Sequence, residues 1–188
     1  MTGLGVRAVG VHTVADAAVA ITQADAIIVG GGNSFRLVRA LRDLDLLDVI
    51  RTRVADGVPY YGASAGSNVA CPTIRTTNDM PIVETGSFAA LHLVPFQINP
   101  HYVDAPPPEL RVGETRPERL EEFLDENDVP VIGLREPSWL LVHGETMTLR
   151  GDGGGVVFRR GRQPQNVAAD ADLSELLRVT PRFDEPDV

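Results

Sequence analysis

One pattern constrains the fold more than any other feature of the chain, and it occurs twice. A short apolar run is stopped by small residues and followed at once by a helical stretch. Residues 26–35 read "AIIVGGGNSF" and residues 58–71 read "VPYYGASAGSNVAC". A strand as apolar as "AIIV" has no face to offer to water, so it must be covered on both sides. Parallel neighbours are joined by crossovers, and a helix provides both the crossover and the cover. Further apolar strands are expected at 94–98 ("VPFQI") and 131–134 ("VIGL"). Strands alternating with helices predict an α/β chain with a mostly parallel sheet.

The remaining elements follow from local pattern. Alternation predicts a first strand over 6–11 ("VRAVGV"), and the alanine-rich 15–22 reads as a helix with Asp16 in its first turn. Helices are expected from Ser34 to about Arg42, from Leu46 to Ala55 ending at Gly57, and over the amphipathic 114–126. Residues 72–86 and "DAPPPEL" read as loops. Stretches 138–143, 146–150 and 156–160 predict an antiparallel set near the C-terminus. After Gly161 the chain is polar, with one helical piece at 173–177 and a tail, 178–188, expected to be flexible. We find no internal repeat, and 188 residues suit a single domain.

Charge and residue type then narrow the function. The net charge is −9 with no basic block, which argues against nucleic acid as a partner. No apolar run is long enough to predict a membrane span. The opening "MTGLGVRAVGVH" has no charged segment followed by a long apolar one, so no secretory signal is expected. A single cysteine, Cys71, gives neither an internal disulfide nor a zinc cluster and suggests a reducing, cytoplasmic setting. All 17 basic residues are arginine. Schiff-base lysines, Ser-Lys dyads and a P-loop lysine are thereby excluded, so an activated serine here needs a histidine.

Gly62-Ala63-Ser64-Ala65-Gly66 is G-x-S-x-G between a strand and a helix, the context of a nucleophile elbow. The bare pattern is weak, and a plain loop serine competes with it. Of four histidines, His12, His92 and His143 read as solvated or structural. His101 directly follows a strand end, as do Ser64 and Glu136, and strand ends carry the sites of open parallel sheets. A second arrangement, Ser64 with His143 and either Asp79 or Glu84, ranks lower because His143 falls in a hairpin turn. The "VGGGNSF" turn lacks the third glycine of a dinucleotide fingerprint, since Phe35 stands there. It is either a tight strand–helix turn or the source of one oxyanion donor, with the Ala65 amide as the other.

With these residues in place, the sequence resembles the peptidase E, or alpha-aspartyl dipeptidase, family of serine peptidases. The stretches that carry the likeness are "IIVGGGNSF", "GASAGSNVACPTIRTTNDMPIV", "FQINPH", "GETRPER" and "VIGLREPSW". The run from Ser64 through Val83 is far more specific than G-x-S-x-G, and the likeness extends over nearly the whole chain from Gly3. It implies a three-layer α/β/α fold, flavodoxin-like and similar to class I glutamine amidotransferases. It implies a peptidase for dipeptides with N-terminal aspartate, with a Ser64–His101–Glu136 triad and no metal or other cofactor. By position it assigns the oxyanion amides to Gly32 and Ala65 and the carboxylate-binding cation to Arg116. Read from its own surroundings, Arg116 is instead a helix-surface partner for Glu114 or Glu118. Asn33, Thr77 and Asp79 are further candidates for the substrate pocket or for turn caps, with Asp79 or Glu114 facing the substrate's α-ammonium.

The chain also departs from the family. Family members carry a further strand and helix before the segment that matches Gly3, so an open sheet edge is expected, covered by a second copy in a homodimer. Ser67 stands where alanine is more usual. Arg135 precedes Glu136 and is a candidate to pair with it, in competition with His101. Two other readings are a cyanophycinase-like serine peptidase and a truncated relative kept as a binding protein.

Overall fold

The computed structural model describes residues 5–184. The expected strand at 6–11 does not form. Val6, Val9 and Val11 lie exposed, and Val11–Thr13 is a single 3-10 turn closed onto the Gly10 carbonyl. Alternation alone does not make a strand; a partner must supply the ladder. Helix α1 (Ala17–Thr22) follows, with the Asp16 carboxylate accepting the Val19 amide at its N-terminus. Then come β1 (Ile27–Val29), α2 (Ser34–Asp43), α3 (Leu46–Ala55), β2 (Tyr60–Gly62) and α4 (Ala65–Ala70). Next are β3 (Gln97–Asn99), α5 (Arg116–Glu126), β4 (Val131–Leu134), β5 (Trp139–His143), β6 (Thr146–Arg150), β7 (Gly155–Phe158) and β8 (Gln165–Val167).

The strands that carry the site pair in parallel. β1 lies beside β2 with Val29 opposite Gly62, and β3 lies beside β4 with Asn99 opposite Gly133. Antiparallel β7 extends the β3–β4 pair, and β8 extends β7. Hairpin β5–β6 stands apart as a second antiparallel unit. The fold is therefore mixed α/β, with parallel strand pairs at its centre and antiparallel strands added toward the C-terminus.

Strand β4 shows why its residues are wholly apolar. Ile132 and Leu134 face a cluster with Ile98, Met147, Leu149 and Val157, whereas Val131 faces Tyr102, Leu120, Leu124 and Phe158 beneath α5. A third cluster joins Ile27 of β1 to Phe35, Val38, Leu46, Ile50 and Val69 of the surrounding helices. Helix α5 is fixed at its start by a capping box. The Thr115 hydroxyl accepts from the Glu118 amide, and the Glu118 carboxylate accepts from the Thr115 amide at 2.7 Å.

Beyond Gly161 the structure adds β8, which the polar stretch "RQPQN" does not announce. Its residues pair because the outer edge of β7 offers a ready ladder. Arg182 exchanges backbone hydrogen bonds with Asp128, tying the chain down near its end. The last four positions of the tail expected to be flexible, 185–188, lie outside the described residues.

Ile132 has no exposed surface and Val112 is 97% exposed. Ile132→Ala is expected to lower stability by about 2–5 kcal/mol in urea unfolding. Val112→Ala should stay within about 0.5 kcal/mol of the parent protein.

Candidate active site

Ser64 sits between β2 and α4 with φ 55° and ψ −111°, a backbone conformation that a side chain rarely tolerates. The surrounding small residues make this turn possible. A Cβ on Gly66 would lie 2.1 Å from the Val29 carbonyl oxygen, and one on Gly62 would lie 2.5 Å from the Gly66 carbonyl oxygen. The two glycines of G-x-S-x-G thus let the turn fold against β1 without a clash. On the neighbouring turn, a Cβ at Gly31 would come within 3.6 Å of Ser64 Oγ. The β1 turn therefore faces the nucleophile candidate directly. Gly32, with φ 141°, follows in a conformation that favours glycine. Neither the Gly32 nor the Ala65 amide donates a hydrogen bond among the described residues.

His101 and Glu136 are brought together by the β3–β4 register. His101 lies two residues beyond Asn99, Glu136 lies three residues beyond Gly133, and Asn99 pairs with Gly133. The Tyr102 amide donates to the Leu134 carbonyl, and His101 itself adopts φ 56°. The resulting contact is His101 Nδ1 to Glu136 Oε1 at 2.7 Å. An imidazole held at Nδ1 by a carboxylate keeps Nε2 free for proton transfer. Both side chains are more than half exposed.

Arg135 does not compete for Glu136. Its guanidinium forks onto Asp104, with Nε to Oδ2 at 2.8 Å and Nη2 to Oδ1 at 2.6 Å. The hydrogen bond from Arg135 holds the Asp104 carboxyl below the usual carboxylate range. His143 closes the tip of hairpin β5–β6, and His12 is exposed on the early 3-10 turn. His92 is exposed, with its amide on the Cys71 carbonyl, and its imidazole is held below the usual range first by desolvation and then by Arg51.

The other candidates divide between a polar network and a cavity. Asp79 Oδ2 accepts from the Ser34 amide at 2.7 Å and from the Thr77 hydroxyl at 3.1 Å. Asn68 of α4 donates to Ser34 Oγ and to Thr77 Oγ1. Asn33 caps α2 by accepting from the Arg36 amide, and its amide group donates to the Met80 carbonyl. Asp79, Thr77 and Asn33 thus tie loop 72–86 to the turn after β1 and to the helix behind Ser64.

Sequence reasoning missed the continuation of this network. Asn78 donates to the Pro100 carbonyl at 3.1 Å, and Asn99 donates to Asn78 Oδ1 and to the Thr76 carbonyl, each at 2.8 Å. These amides brace the turn that presents His101. The polar run "TTND" is visible in the sequence, but nothing there says that its partners lie at 99–100.

Arg116 lines a cavity of about 290 Å³ with Asp104, Glu114, Thr115 and Arg119. It makes neither of the ion pairs expected of a helix-surface arginine. Glu114 pairs with Arg119 at 2.6 Å, and Glu118 is taken by the capping box. Arg116 Nη1 is buried with no hydrogen-bond partner among the described residues. Burial, then the nearby Arg119 charge, holds the Arg116 guanidinium below its usual pKa. A buried guanidinium nitrogen without a partner is chemically suited to receive an anion. Among the described residues no group of three histidine, cysteine or acidic side chains gathers to hold a metal, and no helix is long and apolar enough to cross a membrane.

The family model for peptidase family S51 matches residues 1–150. The chain is 56% identical over 182 residues to peptidase E of Streptomyces coelicolor, covering 97% of this chain and 74% of that one. It is 48% identical over 175 residues to a probable alpha-aspartyl dipeptidase of Drosophila melanogaster, covering 93% and 73% of the two chains. Its fold is similar to the crystal structure of a putative peptidase E protein from Listeria monocytogenes, with a TM-score of 0.57 at 22% identity over 90% of this chain and 74% of that one. A peptidase from an acI-B1 actinobacterium gives a TM-score of 0.60 at 17% identity, over 83% and 62%.

Gly66→Ala is expected to lose several kcal/mol of stability by chemical denaturation, because backbone rather than a mobile side chain fills the space. Gly30→Ala, where a Cβ meets nothing within 4 Å, should be nearly neutral.

Proposed function

The chain belongs to peptidase family S51, and we propose that it is a serine dipeptidase that releases N-terminal aspartate from Asp-X dipeptides. The observation that carries this reading is the 2.7 Å contact between His101 and Glu136, on turns that follow paired strands; a serine in a strained strand–helix turn supports it. The names borne by the relatives supply the substrate class.

In this mechanism His101 Nε2 takes the Ser64 proton as Oγ attacks the carbonyl carbon of the aspartyl residue. Glu136 orients the imidazole and stabilises its cationic form. The oxyanion of the tetrahedral intermediate lies against the amides of Gly32 and Ala65, each worth about 3 kcal/mol to such a transition state. His101 then returns the proton to the leaving amine as the C–N bond breaks, leaving an aspartyl ester on Ser64. Water, deprotonated by the same imidazole, attacks the ester and restores the serine. Arg116 receives the substrate's β-carboxylate in its planar fork. Asn33, Thr77 and Asp79 shape the pocket wall through the network that ties their loops.

We also infer a homodimer. Ile28 and Tyr61, opposite each other in the β1–β2 register, are 48% and 62% exposed, and β1 has no second partner strand among the described residues. A second copy packed over the exposed face of this strand pair would bury both. Light scattering at micromolar concentration should return twice the chain mass, whereas a monomer excludes this inference. From a sequence with one cysteine, Cys71, and so no internal disulfide, we infer work in the reducing cytoplasm.

Release of leucine from Asp-Leu tests the catalytic reading. Ser64→Ala should lower kcat by about 10⁴-fold or more. Arg116→Gln should lower kcat/KM for Asp-Leu by about 30-fold or more while sparing Asn-Leu, since only the former brings a carboxylate to the cavity. Equal rates for Ser64→Ala and the parent protein exclude the nucleophile assignment.

A further inference from the structure

His101 and Glu136 hold each other, yet both are largely exposed. An exposed pair of this kind contributes little to its own placement. What fixes the pair must therefore lie in the backbone beneath it, and the groups that do so converge on one residue. Arg135 immediately precedes Glu136, and its bidentate partner, Asp104, lies three residues after His101. The same guanidinium donates to the Gly155 carbonyl of β7 at 3.2 Å and to Asn166 Oδ1 of β8 at 2.8 Å. Its carbon lies 5.6 Å from the centre of the Tyr102 ring, the residue next to His101. That ring sits against Gly133, where a Cβ would come within 2.6 Å of it. Arg135 thus joins the turn bearing His101, the turn bearing Glu136, and the two antiparallel strands behind them.

We propose that Arg135 and Asp104 are positioning residues that hold the His101–Glu136 pair in its catalytic arrangement. Asp104 does this in two ways. It draws the His101 turn toward the end of β4, and it occupies the one guanidinium adjacent to Glu136, leaving that carboxylate to the imidazole. The clamp touches neither Ser64 nor a reacting atom; it acts through the two turns. The sequential distance between its members, 31 residues, hides it from any local motif. The proposal rests on the triad reading above.

The test measures how fast Ser64 is phosphonylated by an alkyl fluorophosphonate, with fluoride as the leaving group. This rate reports activation of the serine without requiring the dipeptide pocket. Asp104→Asn, Arg135→Gln and the double variant are compared with the parent, each rate being normalised to folded protein by circular dichroism. Each single variant should label about tenfold more slowly, the scale expected of a displaced catalytic group. The double variant should label no more slowly than the slower single variant, because both changes break one device. Parent-like rates in both single variants overturn the proposal. So do losses that multiply in the double variant, or losses explained wholly by unfolded protein. Ser64→Ala separates the two levels of inference. Abolished labelling establishes the nucleophile, so that the clamp variants bear on the clamp alone. Undiminished labelling overturns the nucleophile assignment and the clamp with it.

Discussion

The parallel register of β3 against β4 is the constraint on which the rest of the site depends. Asn99 and Gly133 sit opposite each other, and within three residues of that pair the chain presents His101 on one turn and Glu136 on the other. A slip of one residue in this ladder would turn every side chain of the strand to the wrong face. The slip is prevented by burial on both sides of β4. Ile132 and Leu134 are committed to one cluster and Val131 to another. The packing of the core thus sets the spacing of His101 and Glu136.

Around that register the structure stores strain and offsets it with hydrogen bonds. Ser64 and His101 both lie at positive φ, a costly conformation for residues with side chains. Each is buttressed from behind. Asn68, Thr77, Asp79 and Ser34 knit the helix after Ser64 to the turn after β1. Asn78 and Asn99 hold the carbonyl just before His101. Loop 72–86 is therefore a brace between the turns that carry Ser64 and His101. Its anchorage is deep, since Gln97, fully buried, donates to the Thr73 carbonyl and hydroxyl at 3.0 and 2.8 Å.

Much of this was legible in the sequence. The fully apolar "VIGL" reads as a covered strand and is one, whereas the equally apolar "AIIV" leaves Ile28 48% exposed because nothing among the described residues covers β1 on that face; small residues flanking Ser64 mark a turn too tight for larger ones. Both signals are local, and the folded chain bears them out in β4 and in the glycine contacts around β2. What could not be read depends on partners distant in the chain. The alternation at Val6–Val11 promised a strand but met no neighbour, whereas polar Gln165–Val167 became one because β7 had an open edge. Arg135 looked like a competitor for Glu136 until Asp104 appeared beside it. Arg116 read as a surface ion pair until its two candidate partners proved to be engaged elsewhere.

The central claim is that His101, steadied by Glu136, faces Ser64 across the strand ends. A crystal structure of the protein inactivated by an aspartyl phosphonate ester examines it most directly. We expect phosphorus bonded to Ser64 Oγ, His101 Nε2 within about 3.2 Å of an oxygen on the adduct, and the phosphonyl oxygen directed at the Gly32 and Ala65 amides. Phosphorus on any other residue, or a modified Ser64 with His101 turned away from it, would contradict the account.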